Sequence, residues 1–588
     1  MARGRVRLRA MCGIAGIIGP KASLDTVGRM SLRLQHRGPD GEGTWSARGV
    51  ALAHRRLSIL DLSEAAHQPM VFGSHVLSYN GELYNHESLR AGMPGPWHST
   101  GDTEVLLHLL SRDGSACLSQ LVGMFAFAYW DADRRRLLLA RDRLGIKPLY
   151  YCLLQEGIAF ASELKALTEL WTPAIDRSAV RDFLFHGYIP SPKTIYEGIA
   201  KLPAGHTLTW EDGRTRIERY WDPSPEIRAR SREASLEQLN ELLGEVIPAQ
   251  TLSDVPVGVF LSGGIDSALT TYYLDRPRTY TLGFEQQARS EVDAARRVAL
   301  HLDTEHTEMT AQAADYGAAL DAMPTLFDEP FGDSAAWSNF LIAQCARREV
   351  KVALSGEGGD EIFCGYPRYW SHVGERSNFV TRTLAHLLPP LSRFGSSMQS
   401  RAYGGLEAHA AALGGLNAVQ VDALLGEQWR EADYDYLWFY RKFWRPELQP
   451  LAQLRWLDLN TDLADGLLTK VDRSSMAHSL EVRPPLLDHR LVEFMLTVDP
   501  KLLVDPARER GKLLVRELMA PRLPTGHLDR PKSGFGLPLR SWLKRNPRLL
   551  DDAVQRLCER GVLRRAVNTE FRRAWFILVL DRWFAAFA

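Results

Sequence analysis

The chain has 588 residues, and at about 150 residues per domain it is too long to fold around one hydrophobic core. Its composition, 45% hydrophobic and 24% charged, is that of an ordinary globular protein. Lysine plus arginine and aspartate plus glutamate both total 71, so the net charge gives no reason to expect a nucleic-acid partner.

The cysteine pattern and the lengths of the apolar runs indicate in which cellular compartment the protein is expected. The six cysteines, at positions 12, 117, 152, 345, 364 and 558, form no CxxC pair and no metal-ligand spacing, which predicts reduced thiols in a cytoplasmic protein. No apolar run reaches the roughly 18 residues that a bilayer span requires, so we expect no membrane partner. The opening MARGRVRLRA is rich in arginine but has no apolar segment, and therefore is not a secretory signal.

The first third of the chain reads as β-strands joined by short turns. The β-rich runs, bounded by Gly, Asp and Asn, are GVALAHRRLSIL, HVLSYNGELYN, GMFAFAYWD, RRLLLARD and GIAFASE. Residues 102–110 have helical periodicity. These patterns predict a layered α/β domain over residues 12–222. The charged, proline-containing stretch 223–234 is predicted to be a linker.

The rest of the chain, residues 223–588, alternates strands with helices. VPVGVFLSGGIDSALTTYYL reads as strand, glycine turn and helix, and RTYTLGF and VKVALSGEGGDE add strand-to-turn units. Such alternation predicts a parallel sheet with helices on both faces. Residues 370–468 are largely helical in pattern.

Cys12 follows Met11 in MCGIAGIIG, and its position in the chain is chemically unusual. An N-terminal cysteine carries a thiol nucleophile and an α-amino group with a pKa of roughly 7.7–8.0, which suits general-base catalysis near neutral pH. Inside a chain the same nitrogen is an amide and has no basic lone pair. Three interpretations follow for residues 1–11: translation begins at Met11, the leader is removed, or the site is inactive. We favour a start codon assigned too far upstream.

The segment MCGIAGIIG resembles the start of a class II glutamine amidotransferase, and several polar residues in the first domain fit the glutamine site that this resemblance implies. The sequence Asn80-Gly81-Glu82 is predicted to form a tight turn after a strand, where the Asn80 amide and the Gly81 N–H can form an oxyanion hole. The planar fork of Arg56 suits the glutamine α-carboxylate, and Asp102 suits the α-ammonium. Glu82 is a further candidate for glutamine binding. Taken singly, each has an ordinary alternative: NGE is a common hairpin turn, and a lone arginine is usually a surface charge.

Arg37, in HRGPDGEG, is a second arginine that we expect near this site.

The heptapeptide LSGGIDS at 261–267 follows an apolar strand and opens a helix. Backbone N–H groups of such a turn, together with the helix N-terminus, form a nest for pyrophosphate. The segment is not a Walker A loop, because GxxxxGK[ST] is missing, so γ-phosphate transfer is not indicated.

The motifs MCGIAG, HRGPDG, AHRRLSI, YNGELYN, STGDTEV, GMFAFAYWD and RDRLGIKPLYY occur in the order seen in glutamine-hydrolysing asparagine synthetases, and LSGGIDS and LSGEGGDEIFCGY resemble the synthetase motifs of that family. The resemblance implies a four-layer αββα N-terminal nucleophile hydrolase domain. It also implies a doubly wound ATP pyrophosphatase domain with extra helices.

The resemblance also assigns roles to individual residues. Cys12 becomes the glutaminase nucleophile, Glu357 handles the proton as ammonia attacks, and Lys512 stabilises the leaving pyrophosphate. Asp266 and Asp360 are expected to bind Mg²⁺, since hard oxygen ligands suit that ion. The expected ATP contacts are Leu261, Ser262, Gly263, Gly264, Asp266, Ser267, Leu282, Ser355 and Gly356.

The reaction implied is ATP-dependent amidation of a carboxylate, with glutamine as ammonia donor, an acyl-AMP intermediate, and release of AMP, pyrophosphate and glutamate. Aspartate is the favoured acceptor. The alternatives are another carboxylate (a sugar uronate, a peptide or a natural product), an ammonia-independent cyclase and a non-catalytic relative. A homodimer is compatible with the resemblance, and the oligomeric state stays open. Cys364 stands where a small residue is usual, which predicts an altered acceptor pocket.

Overall fold

The computed structural model describes residues 12–284, 290–312, 315–374, 405–413, 415–530, 539–564 and 571–588. The leader before Cys12 lies outside the described residues, and so does much of the predicted helical stretch 370–468, from residue 375 to residue 404.

The first part of the chain forms two antiparallel sheets. Its strands are β1 Gly13–Ile18, β2 Gly41–Ala47, β3 Val50–Arg56, β4 Met70–Phe72, β5 His75–Leu83, β6 Gly123–Asp131, β7 Arg136–Arg141, β8 Tyr150–Leu154, β9 Gly157–Ala161, β10 Ile199–Lys201, β11 His206–Glu211 and β12 Arg214–Arg219. Within residues 12–222, one sheet has the order β10-β8-β9-β1-β3-β2 and the other β12-β11-β7-β6-β5-β4.

The helices follow in chain order. They are α1 Leu24–Leu32, α2 His86–Ala91, α3 Asp102–Asp113, α4 Leu164–Leu167, α5 Arg177–His186, α6 Arg232–Ala249, α7 Ile265–Tyr272, α8 Ser290–His301, α9 Asp315–Phe327, α10 Ala335–Ala346, α11 Gly359–Phe363, α12 Pro367–Gly374, α13 Leu406–Leu413, α14 Ala418–Leu424, α15 Trp438–Lys442, α16 Pro450–Asn460, α17 Leu468–Met476, α18 His489–Leu496, α19 Leu513–Met519, α20 Leu539–Arg545, α21 Pro547–Glu559 and α22 Phe571–Phe587. A π-helical turn, Asp462–Leu467, precedes α17.

The two antiparallel sheets pack face to face and are covered by helices on their outer faces. Successive residues of β1 alternate: Ile14 and Ile18 enter the core between the sheets, whereas Ala15 and Ile17 pack with the core that includes α1. Because side chains of a strand alternate between its faces, a strand buried on both sides is apolar throughout. The outer face of the second sheet packs against α3. The predicted four-layer αββα arrangement is confirmed.

The second part of the chain forms a parallel sheet. Its strands are β13 Val257–Phe260, β14 Arg278–Phe284, β15 Glu305–Ala311, β16 Val352–Leu354 and β17 Glu481–Arg483. Among the described residues their order is β15-β14-β13-β16-β17, and all pairs are parallel. One face packs on α6, α7 and α8, and the other on α10, as expected for a doubly wound sheet. The α/β prediction is confirmed.

The stretch 223–234 is only partly a linker. Helix α6 already begins at Arg232, because the Ser231 hydroxyl accepts a hydrogen bond from the Ala234 N–H at 3.1 Å and so caps the helix.

In the part of the chain that the structure describes, no helix combines the length and the apolar character needed to cross a membrane.

Buried ion pairs join the two parts of the chain. The guanidinium of Arg37, in the first part, donates to both Asp472 oxygens of α17 at 2.8 and 2.9 Å. The same guanidinium donates to Glu163 at 2.8 Å, and Arg473 of α17 lies 3.3 Å from Glu163. All four side chains are almost fully excluded from solvent. Helix α17 is therefore an element that touches both domains.

Candidate active sites

Cys12 lies at the start of β1, half-buried, where its thiol points toward the main chain of Leu57. The Sγ–O distance is 3.8 Å. Burial raises the pKa of the Cys12 thiol to about 12, and the nearby charge of Arg56 opposes that rise. A thiol with such a pKa is protonated at neutral pH, so it needs a base to become a nucleophile.

Arg37 lies beside the nucleophile, as expected. Its Nε donates to the Cys12 carbonyl oxygen at 3.2 Å. Because the same guanidinium is held by Glu163 and Asp472, the main chain of Cys12 is tied to helix α17 of the other domain. The link to Asp472 could not be predicted from sequence, since the two residues are 435 positions apart.

The sequence Asn80-Gly81-Glu82 does not form a turn, and that prediction is wrong. The three residues lie within strand β5, where they pair with Ala126, Phe125 and Met124 of β6. A Cβ on Gly81 would come within 2.2 Å of the Met124 carbonyl oxygen, so this strand pairing requires glycine. Glycine is often a turn signal, but here it permits a close approach of two strands.

Three buried polar atoms of these residues have no hydrogen-bond partner among the described residues. They are Nδ2 and Oδ1 of Asn80 and Oε2 of Glu82. Asn80 is fully buried and Glu82 is 5% exposed. Since buried polar groups are almost always hydrogen-bonded, these atoms are available to a polar ligand or to water.

Arg56, the last residue of β3, is fixed by main-chain carbonyls. Its guanidinium donates to Ser63 O at 2.9 Å and to Asp61 O. Asp61 in turn accepts from the Ser99 hydroxyl at 2.6 Å and from the Thr100 N–H at 2.8 Å. Ser99 and Thr100, which precede Asp102, are therefore attached through Asp61 to the loop that orients Arg56.

Asp102 is the first residue of α3 and lies next to Glu82. Its Oδ2 accepts from Tyr79 Oη and from the Leu83 N–H, both at 2.8 Å. Burial raises the pKa of Asp102, and burial together with the charge of Asp102 raises the pKa of Glu82 well above its usual value. Two adjacent buried carboxylates of this kind are a favourable place for an ammonium group.

A cavity of about 790 Å³ lies at the C-terminal ends of β13 and β16. Such a position is usual for ligands of doubly wound sheets. The predicted residues that line it are Ser262, Gly263, Gly264, Asp266, Ser267, Ser355, Gly356, Glu357, Asp360 and Lys512. Leu261 and Leu282 are not in the lining, since both side chains are buried in the core.

The LSGGIDS segment forms the predicted strand–turn–helix unit. Gly263 has a φ of +73°, and a Cβ there would come within 2.8 Å of the Ala295 nitrogen, so the turn requires glycine. Gly264 precedes α7, and the Ser267 hydroxyl accepts from the Ser262 N–H at 3.1 Å. The turn thus presents main-chain N–H groups at the start of a helix, as a phosphate site needs.

Lys512 brings the two predicted metal ligands together. It adopts a left-handed conformation (φ 59°) before α19, and its Nζ contacts Asp266 and lies 2.6 Å from Asp360 Oδ1. Although burial opposes the charged form, these carboxylates raise the pKa of Lys512. Two carboxylates that converge on one cation fit Mg²⁺ as well, because that ion takes oxygen ligands.

Glu357 has a cationic neighbour that sequence reasoning missed. Burial raises the pKa of Glu357, and the charge of Lys470 on α17 opposes this rise. Lys470 Nζ lies 3.3 Å from Asp333 Oδ2, and both residues line the cavity. The motif LLTKVDRSS contains Lys470, but a lysine in a helical pattern gives no signal of burial. Helix α17 therefore presents Lys470 to the cavity, whereas Asp472 of the same helix contacts Arg37 of the first domain.

Cys364 does not alter the cavity as expected. Its side chain is fully buried in the core and is not part of the cavity lining. The residue ends α11 with a φ of 62°, and a Cβ on Gly511 would come within 1.8 Å of its carbonyl oxygen. The close approach of this loop to Gly511 turns the thiol toward the core.

An apolar cluster connects Cys12 with the base of the parallel sheet. Leu57 and Ile59 come from the first domain, and Val352 of β16 and Met476 of α17 come from the second. The partly buried residues packed against them are Cys12, Leu60, Val255 and Val257. Strands β13 and β16, which contribute to this cluster, end at the two cavity loops.

Comparisons with known proteins agree with these two sites. A profile described as glutamine amidotransferase domain matches residues 11–221, and one described as asparagine synthase matches residues 238–577. Glutamine-hydrolyzing asparagine synthetase 3 of Bacillus subtilis is 30% identical over 96% of this chain and 95% of its own. Asparagine synthetase 1 of the same species is 28% identical over 97% and 96%, and asparagine synthetase B of Escherichia coli is 32% identical over 60% and 65%. The chain belongs to the asparagine synthase family and uses ATP as that family does.

Proposed function

We propose that the protein converts aspartate to asparagine, with glutamine as ammonia donor and cleavage of ATP to AMP and pyrophosphate. The observation that carries this proposal is the apolar cluster that contains Cys12 and contacts strands β13 and β16. A protein with only a glutaminase site, or only an ATP site, would not need an apolar connection between two sites.

In the glutaminase step the Cys12 sulfur attacks the carboxamide carbon of glutamine and releases ammonia. Water then hydrolyses the thioester to glutamate. The Asn80 amide, whose two polar atoms are buried without a hydrogen-bond partner among the described residues, and the Gly81 N–H stabilise the oxyanion. Arg56 binds the α-carboxylate, and Glu82 and Asp102 bind the α-ammonium.

The proton of the Cys12 thiol is taken by the α-amino group of the same residue, once residues 1–11 are absent. With a thiol pKa of about 12, the nucleophile depends on this base.

In the synthetase step an aspartate β-carboxylate oxygen attacks the α-phosphorus of ATP, and pyrophosphate leaves. The main-chain N–H groups at Gly263 and Gly264 and the ammonium of Lys512 bind the departing charge. Asp266 and Asp360 would hold Mg²⁺, which supplies further neutralisation of the phosphates. Ammonia then attacks the acyl carbon, Glu357 accepts its proton and AMP leaves.

Two features support an amino-acid acceptor and a protected nucleophile. Lys470 and Asp333 lie together in the cavity and offer both signs of charge that the α-groups of an amino acid need. The apolar cluster favours neutral ammonia over ammonium, because burial of a charge without a partner is costly. A cytoplasmic location is supported by the six cysteines, which form no disulfide with one another. A homodimer stays a prediction, which sedimentation analysis checks.

The test is ATP–pyrophosphate exchange across a panel of carboxylates that includes aspartate, a uronate and small peptides. We expect exchange with aspartate, followed by transfer of ¹⁵N from amide-labelled glutamine to the product, with AMP as the nucleotide product. Exchange with another carboxylate and none with aspartate would overturn the acceptor. An ADP product would overturn the mechanism.

A further inference from the structure

Strand β17 of the synthetase sheet carries an arginine that reaches into the glutamine site of the other domain. Arg483 is fully buried, and its Nη2 lies 3.5 Å from Glu82 Oε1. The guanidinium carbon lies 5.6 Å from the centre of the Tyr84 ring. Glu82 and Tyr84 both belong to the glutaminase domain, so this contact crosses the domain boundary.

The guanidinium is held in place mainly by groups of its own domain. Nε donates to Glu481 Oε1 at 2.6 Å, and Nη1 donates to the carbonyls of Gln250 and Leu252 at 2.9 and 2.7 Å. A planar guanidinium that is fixed on two sides presents its remaining N–H groups in one direction. The synthetase domain therefore sets the orientation of Arg483 toward Glu82.

Charged side chains of both signs surround Glu82. Burial raises the pKa of Glu82, and so do the charges of Asp102 and Glu481, whereas the charges of Arg483 and Lys147 lower it. Lys147 Nζ lies 3.3 Å from Glu481 Oε2. Loss of Arg483 would remove a cation that opposes protonation of Glu82, and a proton on Glu82 competes with an ammonium ligand.

The main chain of Arg483 is attached to the nucleotide cavity. Its carbonyl accepts a hydrogen bond from the Ser355 N–H at 2.9 Å, and Leu354 pairs with Arg483 in the sheet. Ser355 and Gly356 line the cavity. One residue thus contacts the nucleotide loop through its main chain and a glutamine-binding carboxylate through its side chain.

We propose that Arg483 is a positioning residue for glutamine: its fixed guanidinium holds Glu82 in place for the α-ammonium, so that glutamine affinity depends on the synthetase sheet. The inference rests on the proposed function, because it takes Glu82 as a ligand of the α-ammonium. Arg483 itself touches neither reacting atom.

The test uses the full chain with Arg483→Met and Arg483→Lys, and two donors: glutamine and glutaramate, which is glutamine without its α-amino group. We expect Arg483→Met to raise the KM for glutamine at least about tenfold, the scale of one lost charge contact. The kcat/KM for glutaramate should change less than about twofold, because glutaramate has no ammonium for Glu82 to bind. Arg483→Lys keeps the charge and should recover part of the loss.

Arg455→Met is the matched control. Arg455 is also a buried arginine of the synthetase domain, and it donates to the carbonyls of Ile362 and Met495. Its removal should leave the KM for glutamine unchanged. If Arg483→Met does not fold, the donor comparison is made on Arg483→Lys, with a smaller difference of the same sign expected.

A fall of equal size for both donors would show that Arg483 only supports the structure, and would overturn the proposal. An unchanged KM for glutamine would overturn it too. If the unmodified protein releases no glutamate from glutamine, the proposed function itself fails, which is a different outcome from either of these.

Discussion

The glutamine site and the nucleotide cavity use charge in opposite ways. In the glutamine site, polar atoms of Asn80 and Glu82 are buried and have no hydrogen-bond partner in the described chain. In the nucleotide cavity, Lys512 is already paired with Asp266 and Asp360. Under the proposed function, the first site is preorganised for a small zwitterion, whereas the second must rearrange its own ion pairs when phosphates bind. A small buried site can be rigid before its ligand binds. In a cavity of about 790 Å³, the charged side chains must give up their contacts with one another in order to bind a large anion.

The strongest test of this contrast removes the nucleophile. Cys12→Ala should lower glutamine-dependent turnover by on the order of 10⁴-fold or more, because the covalent step has no substitute. Ammonia-dependent AMP formation should remain, since the nucleotide cavity does not include Cys12. Assays with glutamine and with ammonium chloride measure both. Equal loss with the two donors would contradict the separation of the sites.

The reverse experiment breaks the ion-pair triad of the nucleotide cavity. Lys512→Met should lower pyrophosphate exchange by about 10³-fold, as expected for loss of one preorganised charge at a developing anion. Glutamate release without ATP should stay near its original rate. Lys501→Met is the matched control, because Lys501 is exposed. Exchange that survives in Lys512→Met would show that Lys512 does not bind pyrophosphate.

Glu357 separates the two half-reactions within the cavity. Glu357→Gln keeps the shape of the side chain but cannot accept a proton, so we expect asparagine formation to fall by about 10²-fold. Pyrophosphate exchange should fall much less, because adenylylation does not use this proton. Comparison of exchange with product formation in the same preparation checks this. Parallel losses in both would instead assign Glu357 to nucleotide binding.

A substitution at the interface between the two domains should have the smallest effect on turnover and a clear effect on stability. Glu163→Gln removes the carboxylate between Arg37 and Arg473 and should cost about 3–5 kcal/mol, since two buried cations lose a partner. Thermal unfolding of the two proteins at neutral pH measures this difference.

The same variant has a predicted dependence on pH. Although burial opposes ionisation, the charges of Arg473, His36 and Lys165 hold the pKa of Glu163 well below its usual 4.5. A carboxylate with a lowered folded-state pKa stabilises the protein fully above pH 4.5, and this stabilisation is lost as the pH falls through the folded-state pKa. The unfolding temperatures of wild type and Glu163→Gln should therefore converge under acidic conditions. A constant gap would contradict the assignment.

Sequence reasoning found what local patterns encode. Strands such as β6 and β9 were predictable because their apolar runs must be buried on both faces, whereas Asp266 and Glu357 were assigned because their loops resemble motifs of the family. It misplaced Asn80-Gly81-Glu82, because glycine serves strand contact as well as turns. It missed Lys470 and Arg483, and the Arg37–Asp472 pair, because those partners come from distant segments that only the folded chain brings together.

Strand β17 is the last strand of its sheet among the described residues, and its side chains Glu481 and Arg483 contact Lys147 and Glu82 of the glutaminase domain. An unprotected edge strand is a template for pairing with other chains. Because the glutaminase domain is translated first, it is available to cover this edge as soon as the later sheet forms. A fragment of residues 223–588 expressed by itself should therefore aggregate. In the full chain, the order of the two domains protects the later sheet from aggregation during folding.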